Sequence, residues 1–455
     1  MQEEWFACFQ LCVDTAEELG MSVYIYDENG WPSGFCGGAI PALGEAYQYK
    51  YLAFSRGVPP GEAGHRVIAA YACEEGGCRR ISDGEITDSS LVAYYGVDEN
   101  YVDLLCRDTV KEFIARTHEV YKERFGRYFG SVIKGVFTDE PQMRCDHITW
   151  SFSAPAYYRE SYGEDLLDEL WKLSTAYFDE AFSDRYIRML NTLFCRNFSG
   201  QIGEWCAANG LAFTGHYGAE DGLQSQILSN GGVMPHYLEE QIPGIDHLGC
   251  RLASPVLMKQ VSSAAEMQGK PLKISEVFGC AGWDVRFAEL AWIWGWHAAF
   301  GINLPCLHLS AFSIKGRRKR DYPAFYSYQE PWWEDFHYFA EWMSRVNAFI
   351  SRGKRRPQVL VLSDVDGSRG CALPAHGEGL AINAASNQFR YLLKNLMDNQ
   401  VDFDIGDETI LTRLGARAEN GCILAGTNEY ACVIVPDMPF EEREELLPAC
   451  KKYGM

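Results

Sequence analysis

The 455-residue chain is poor in paired cysteines, in basic charge and in long apolar runs, and each shortage excludes a class of protein. Its 16 cysteines form no CxxC pair, the nearest approaches being Cys8/Cys12 and Cys73/Cys78. A zinc site made from them is therefore not expected, and they read as reduced, mostly small core residues of a cytoplasmic protein. Lysine and arginine number 41 against 62 aspartates and glutamates, a net charge of −21. That balance excludes nucleic acid and an anionic membrane as expected partners, since phosphate binding needs a basic face. No run approaches the roughly 18 apolar residues of a membrane span. The start, Met1-Gln2-Glu3-Glu4-Trp5, has neither the basic nor the apolar region of a secretory signal, so a cytoplasmic location is expected.

What the chain does have is 47% hydrophobic and 14% aromatic residues, enough for a large globular core. Helical spacing of Trp5, Phe6, Phe9, Val13, Ala16 and Leu19 predicts a helix over 5–20, closed by Gly20. Apolar runs ending in polar groups follow at Met21–Asp27, Val132–Glu140, Leu211–His216, Gly244–Leu248, Leu272–Gly279 and Ile302–His308. Helical stretches separate them, at about 107–125, 183–208, 254–267 and 285–300. Such alternation predicts a parallel sheet, and polar residues at the C-terminal ends of its strands are where an eight-stranded α/β barrel assembles its site. Six strands are legible, so the expectation is a (β/α)8 TIM-type barrel over 1–353 whose strands three to eight are present and whose first two are missing. A small β insertion is expected near 60–100. After the basic linker Arg352–Pro357, the strands Val359–Leu362 and Ala431–Pro436, with a helix over Ala384–Asn399 and the run Val401–Ile405 between them, predict a partial flavodoxin-like α/β domain over 354–455 ending in one more helix. No GxGxxG follows its first strand, so no nucleotide cofactor is assigned.

The chemistry rests on two glutamates at strand ends. Val132–Pro141 runs from an apolar strand into Thr138-Asp139-Glu140-Pro141, and Leu272–Gly279 carries Glu276. Cleavage of a glycosidic bond uses such a pair, one acid to protonate the leaving oxygen and one carboxylate to serve the other face of the sugar. Neighbouring side chains of an extended strand point to opposite sides, so of Asp139 and Glu140 only one aims into a pocket; glutamate reaches further, which makes Glu140 the general acid and Asp139 its positioner or a metal contact. Phe278, Gly279 and Trp283 surround Glu276 with apolar groups suited to tuning a carboxyl. The loop Tyr26–Gly34 adds Asp27, Glu28 and the flat indole of Trp31 as candidate sugar contacts. His216, Tyr217, Asp246 and His308 bring imidazoles, a phenol and an acid to three further strand ends, with His247 a weaker candidate. Ordinary structural duties, such as a solvated strand-end charge, a satisfied histidine or a turn-anchoring tryptophan, remain the alternative for each. The run Arg317-Arg318-Lys319-Arg320 suits an anion or a solvated loop face.

Four tracts in order, YDENGWPSG at 26–34, GVFTDEP at 135–141, SEVFG at 275–279 and RDYP…QEPWW over 320–333, resemble glycoside hydrolase family 106, the α-L-rhamnosidase-like proteins with an (α/β)8 barrel. The resemblance covers about residues 1–355. More distantly the chain is similar to family 42 β-galactosidases, in which a flavodoxin-like domain follows a barrel with the acid/base on strand four and the nucleophile on strand seven. The resemblance implies an inverting O-glycosyl hydrolase acting on a terminal deoxy-sugar, with Glu140 as acid, Glu276 as base through water, and Ca2+ as cofactor with unknown ligands. Asp139 stands where the galactosidase motif carries asparagine, which points away from retention. A retaining β-galactosidase-like enzyme on the same glutamates and a catalytically inactive carbohydrate-binding barrel are the alternatives. In each case the expected partner is a carbohydrate, and a homo-oligomer stays open.

Overall fold

The computed structural model describes residues 2–59, 66–373 and 380–436, so the final helix expected near the C-terminus lies outside the described residues. Two compact units are formed, one by the described residues of Met1–Phe213, Gly218–Glu239 and Asp364–Asn387, the other by those of Thr214–Tyr217, Glu240–Ser363 and Gln388–Met455.

The first unit opens with α1 (Glu3–Leu19), which buries Phe6, Val13 and Ala16 and is closed by Gly20 at φ 65°, its N–H reaching the Ala16 and Glu17 carbonyls. Then come β1 (Val23–Tyr26), β2 (Gln48–Arg56), β3 (Val67–Glu74), β4 (Gly77–Ile81), β5 (Leu91–Val102), α2 (Arg107–Arg116), α3 (His118–Phe125), β6 (Ile133–Asp139) and β7 (Ile148–Trp150). The helices α4 (Ala154–Tyr162), α5 (Leu166–Glu169), α6 (Glu180–Phe194) and α7 (Gln201–Ala208) lead to β8 (Ala212–His216), whose last three residues belong to the second unit, and to α8 (Leu223–Asn230). Strands β1, β6 and β8 form a sheet in that order, with β1 and β6 parallel. Gly135 lets the strands close up, because a Cβ there would sit 2.5 Å from the Ala212 carbonyl oxygen and 2.7 Å from the Tyr24 ring.

Three expectations are corrected here. The insertion is larger than 60–100: it is a five-stranded antiparallel sheet ordered β4-β3-β5-β2-β7, starting at Gln48 and borrowing a three-residue strand from 148–150. Cys73 and Cys78, placed opposite one another on the β3–β4 hairpin, form a disulfide, so this pair is not reduced. The helix expected over 107–125 breaks at Thr117 (φ −118°, ψ −75°), whose hydroxyl donates to the Phe113 carbonyl at 2.6 Å and meets the His118 ring. The stretch around 183–208 likewise contains a π turn at Cys195–Gly200.

In the second unit β9 (Gly244–His247), α9 (Pro255–Met267), β10 (Ile274–Val277), α10 (Phe287–Ala299) and β11 (Leu304–Leu307) alternate as expected. Ser254 caps α9 through the Val256 N–H. The three strands are parallel, and their register sets Glu276 opposite Asp246 on one side and Cys306 on the other. The end of β8 adjoins this region through a single bridge, Thr214 to Ile242, with the Thr214 hydroxyl donating to the Ile242 carbonyl at 2.6 Å. Among the described residues the six strands thus pair as two small three-stranded sheets, β1-β6-β8 and β11-β10-β9, rather than as one continuous ring of paired strands. After α11 (Phe336–Ile350) come β12 (Val359–Leu362), α12 (Leu380–Asp398), β13 (Phe403–Gly406), α13 (Glu408–Arg413), β14 (Arg417–Glu419), β15 (Cys422–Ala425), β16 (Asn428–Tyr430) and β17 (Cys432–Ile434). Strands β13-β12-β17 form a parallel sheet, while β14-β15-β16, invisible in the sequence, form an antiparallel one. Among the described residues no helix is long and apolar enough to cross a membrane.

Candidate functional site

The candidate residues of the first unit gather where β1 and β6 end. Asp27 is buried and accepts the Ser33 hydroxyl at 2.6 Å, while the same hydroxyl accepts the Asp139 N–H at 2.9 Å and the Ser33 N–H donates to the Asp139 carbonyl at 2.8 Å. Ser33, which the sequence did not single out, therefore stitches the loop to the strand end. Burial, with the charge of neighbouring Glu28 added, holds the Asp27 carboxyl well above the usual carboxylate range. Glu28, expected to bind sugar, is turned into its own loop: its oxygens accept the N–H groups of Asn29, Cys36 and Gly37 at 2.7–2.8 Å. Glu28 thereby satisfies three backbone N–H groups of the loop.

Asp139 accepts the Tyr26 hydroxyl at 2.6 Å. Glu140 leaves the strand with φ 47°, so the alternation argument that set Asp139 and Glu140 on opposite sides does not apply beyond Asp139. A left-handed glutamate at a strand end is the kind of backbone strain that a site imposes. Trp31 has 57% of its surface exposed, and its indole N–H donates to Glu140 Oε2 at 2.9 Å.

The second unit holds the other group. Glu276, largely buried on β10, lies between two imidazoles, His216 Nδ1 at 3.8 Å from Oε2 and His308 Nε2 at 3.9 Å from Oε1. Asp246 stands beside it on β9. His308 approaches so closely that a Cβ on Gly279 would sit 2.7 Å from its ring, and Phe278 is left-handed at φ 76° with its carbonyl accepting the Tyr326 hydroxyl at 3.2 Å. Behind His216, Tyr217 is buried with its hydroxyl on Glu240, a fully buried acid whose carboxyl burial raises well above its ordinary value. Glu240 had no legible signal, since it follows Glu239 in a stretch without periodicity. His247 turns away and packs against His297 at 5.3 Å, and burial pushes it down to about 3. Trp283, expected to tune Glu276, serves as an anchor instead: its indole N–H donates to the Lys319 carbonyl at 2.7 Å and its ring packs on Phe325.

Two further residues join this region. The Tyr322 ring lies 5.7 Å from that of His308, and its carbonyl accepts the Cys280 N–H. Glu330, only 3% exposed, has no hydrogen-bond partner for either carboxylate oxygen among the described residues, and burial pushes it up to about 7. Its signal in the sequence was an acid amid aromatics, Tyr328-Gln329-Glu330-Pro331-Trp332-Trp333.

No model of a protein family matches the chain, and no curated protein does. Solved structures do. The rhamnosidase from Novosphingobium sp. PP1Y superposes with a TM-score of 0.57 at 16% identity, over 76% of this chain and 34% of that one. The fold is shared with glycoside hydrolases. A catalytic mutant of a GH42 β-galactosidase from G. stearothermophilus gives 0.52 at 11% identity, over 78% of this chain and 54% of the other. The β-galactosidase from the Antarctic haloarchaeon Halorubrum lacusprofundi gives 0.51 at 12%, over 79% and 57%. The chain thus spans between a third and somewhat over half the length of these glycoside hydrolases.

Proposed function

We propose that the protein is an inverting, α-L-rhamnosidase-like glycoside hydrolase that releases a terminal deoxy-sugar. The observation that carries this reading is Glu276 at the end of a parallel strand between His216 and His308. The likeness of fold to a rhamnosidase and to GH42 β-galactosidases supports it. In the reaction Glu140 gives its proton to the glycosidic oxygen as the bond to the anomeric carbon breaks. Water adds to the opposite face of that carbon and passes a proton to Glu276. The Trp31 indole donates only, so Glu140 Oε2 is an acceptor and the transferable proton belongs on Oε1; the same hydrogen bond steadies the carboxylate left behind.

In this reading β1, β6, β8, β9, β10 and β11 correspond to strands three to eight of a (β/α)8 barrel. The sheet order β13-β12-β17 supports reading 354–455 as part of a flavodoxin-like domain, in which the second, first and third strands lie side by side. Asp246 beside Glu276 offers the hard oxygen donors that calcium prefers, and a bound cation would supply positive charge to orient sugar hydroxyls. Glu140→Gln and Glu276→Gln are each expected to cut turnover of an aryl rhamnoside by about 100-fold or more while the circular dichroism stays unchanged. Near-full activity in either variant overturns the assignment, and retention of anomeric configuration in the NMR spectrum of the first-formed product overturns inversion.

A further inference from the structure

The basic run at 317–320 is the part of the second unit that the reaction leaves unused. Gly316–Arg320 forms a 3-10 turn on which Arg317, Arg318, Lys319 and Arg320 are all exposed, and among the described residues none of the four has a carboxylate partner. In a chain with a net charge of −21, acids to neutralise them are plentiful, so four unpaired cations in five residues are not the product of composition. Nor is the turn adrift. Trp283, on the loop that leaves β10, holds the Lys319 carbonyl at 2.7 Å, and the Cys280 and Gly282 N–H groups hold the Tyr322 and Pro323 carbonyls. Tyr322 in turn stands against His308, the imidazole 3.9 Å from Glu276. Arg320 precedes Tyr322 by two residues, which places its backbone within about 7 Å of that tyrosine's, and an arginine side chain extends that reach. Two aromatic rings in the same segment also face solvent, Tyr322 at 52% and Phe312 at 99% exposure. Flat exposed rings beside cations suit a sugar that carries an anion, the ring taking the C–H face and the guanidinium the acid group.

We propose that the segment from Phe312 to Tyr322 binds an acidic sugar, one bearing a carboxylate or a sulfate, next to the residue that is cleaved. The inference rests on the glycosidase reading, because the position of the segment is defined through Tyr322, His308 and Glu276. A nucleic acid would press a continuous line of phosphates against an acidic protein, whereas an acidic glycan needs to meet only this turn.

Isothermal titration of the full chain with an oligogalacturonate, a sulfated carrageenan oligosaccharide and a neutral galactan oligosaccharide separates the two sources of charge from each other and from neutral sugar. Binding of at least one acidic oligosaccharide, weakening with added salt and absent for the galactan, is expected. Combining Arg317→Gln, Arg318→Gln, Lys319→Gln and Arg320→Gln should weaken that binding about tenfold or more and flatten its salt dependence, and Phe312→Ala should weaken it with the salt dependence kept. All these side chains are exposed, so folding is expected to survive, which the circular dichroism checks. Equal affinity for neutral and acidic probes, no binding of either acid, or unchanged affinity in the fourfold variant overturns the proposal. If salt-dependent binding is present while no glycoside is hydrolysed, the glycosidase reading falls and the acidic-sugar site stands.

Discussion

Glu330 is a carboxyl whose surroundings oppose its charge. Burial lifts it from 4.5 to about 7, and no donor among the described residues offsets the loss of water. Between those two values the unfolded chain releases its proton while the folded chain keeps it. The contribution of Glu330 to stability is therefore full below about pH 4.5 and is lost as pH rises to about 7, by roughly 3 kcal/mol. Thermal unfolding at pH 5 and pH 8 should show a larger fall for the wild type than for Glu330→Gln; identical falls would mean that Glu330 is charged and solvated in the fold. Single residues also show the limit of reading chemistry from residue type. Asp27, Glu28, Asp139 and Glu140 were equally acidic in the sequence, yet one is a buried acid, one closes a loop through backbone N–H groups, and two receive donors from Tyr26 and Trp31.

At the scale of elements, the strands that deliver these groups depend on backbone approaches that only glycine allows. A Cβ on Gly244 would lie 2.1 Å from the Gly215 carbonyl oxygen and 2.4 Å from Ile274. Gly244→Ala should therefore cost about 1–3 kcal/mol in urea unfolding and disturb the setting of Asp246 two residues on; an unchanged midpoint would show that β9 can move without loss. The same scale explains what was legible. Strands such as β6, β8 and β10 are mostly buried segments in which apolar residues lead to a polar end, and that local pattern needs no partner to be seen. By contrast β7, β14 and β16 span three residues each, too short for any pattern, and exist because a neighbouring strand pairs with them. The break of a long helix at Thr117 is similar, since a threonine hydroxyl has to find the Phe113 carbonyl before it can end α2.

Across the chain as a whole, charge is arranged rather than merely accumulated. The stretch Arg352–Pro357 reads as a basic linker, but Arg355 is built into the second unit: it bonds Asp402 at 2.6 Å, Glu266 at 3.3 Å and Asp404 at 3.4 Å, Asp404 being fully buried. Those acids hold the guanidinium above its already high range and tie α9 to the sheet of β12 and β13. Replacing it, as in Arg355→Met, leaves buried acid without that cation and should destabilise the protein by about 3–5 kcal/mol, read as a drop in the denaturant midpoint. A loss below 1 kcal/mol would show that Lys259 and Tyr430, which bond Asp402 and Asp404, suffice.

By itself the sequence determined the alternation of strand and helix, the six strand ends and the two glutamates carried there, because apolar periodicity and chain order are local properties. It also contained the basic run and its isolation in an acidic chain. Tertiary structure alone decided that the strands pair as two small sheets, that Trp31 donates to Glu140 and that Glu276 lies between two histidines. Those outcomes depend on contacts between residues tens to hundreds of positions apart, and the hydrogen bonds and burial that set them exist only once the chain has closed on itself.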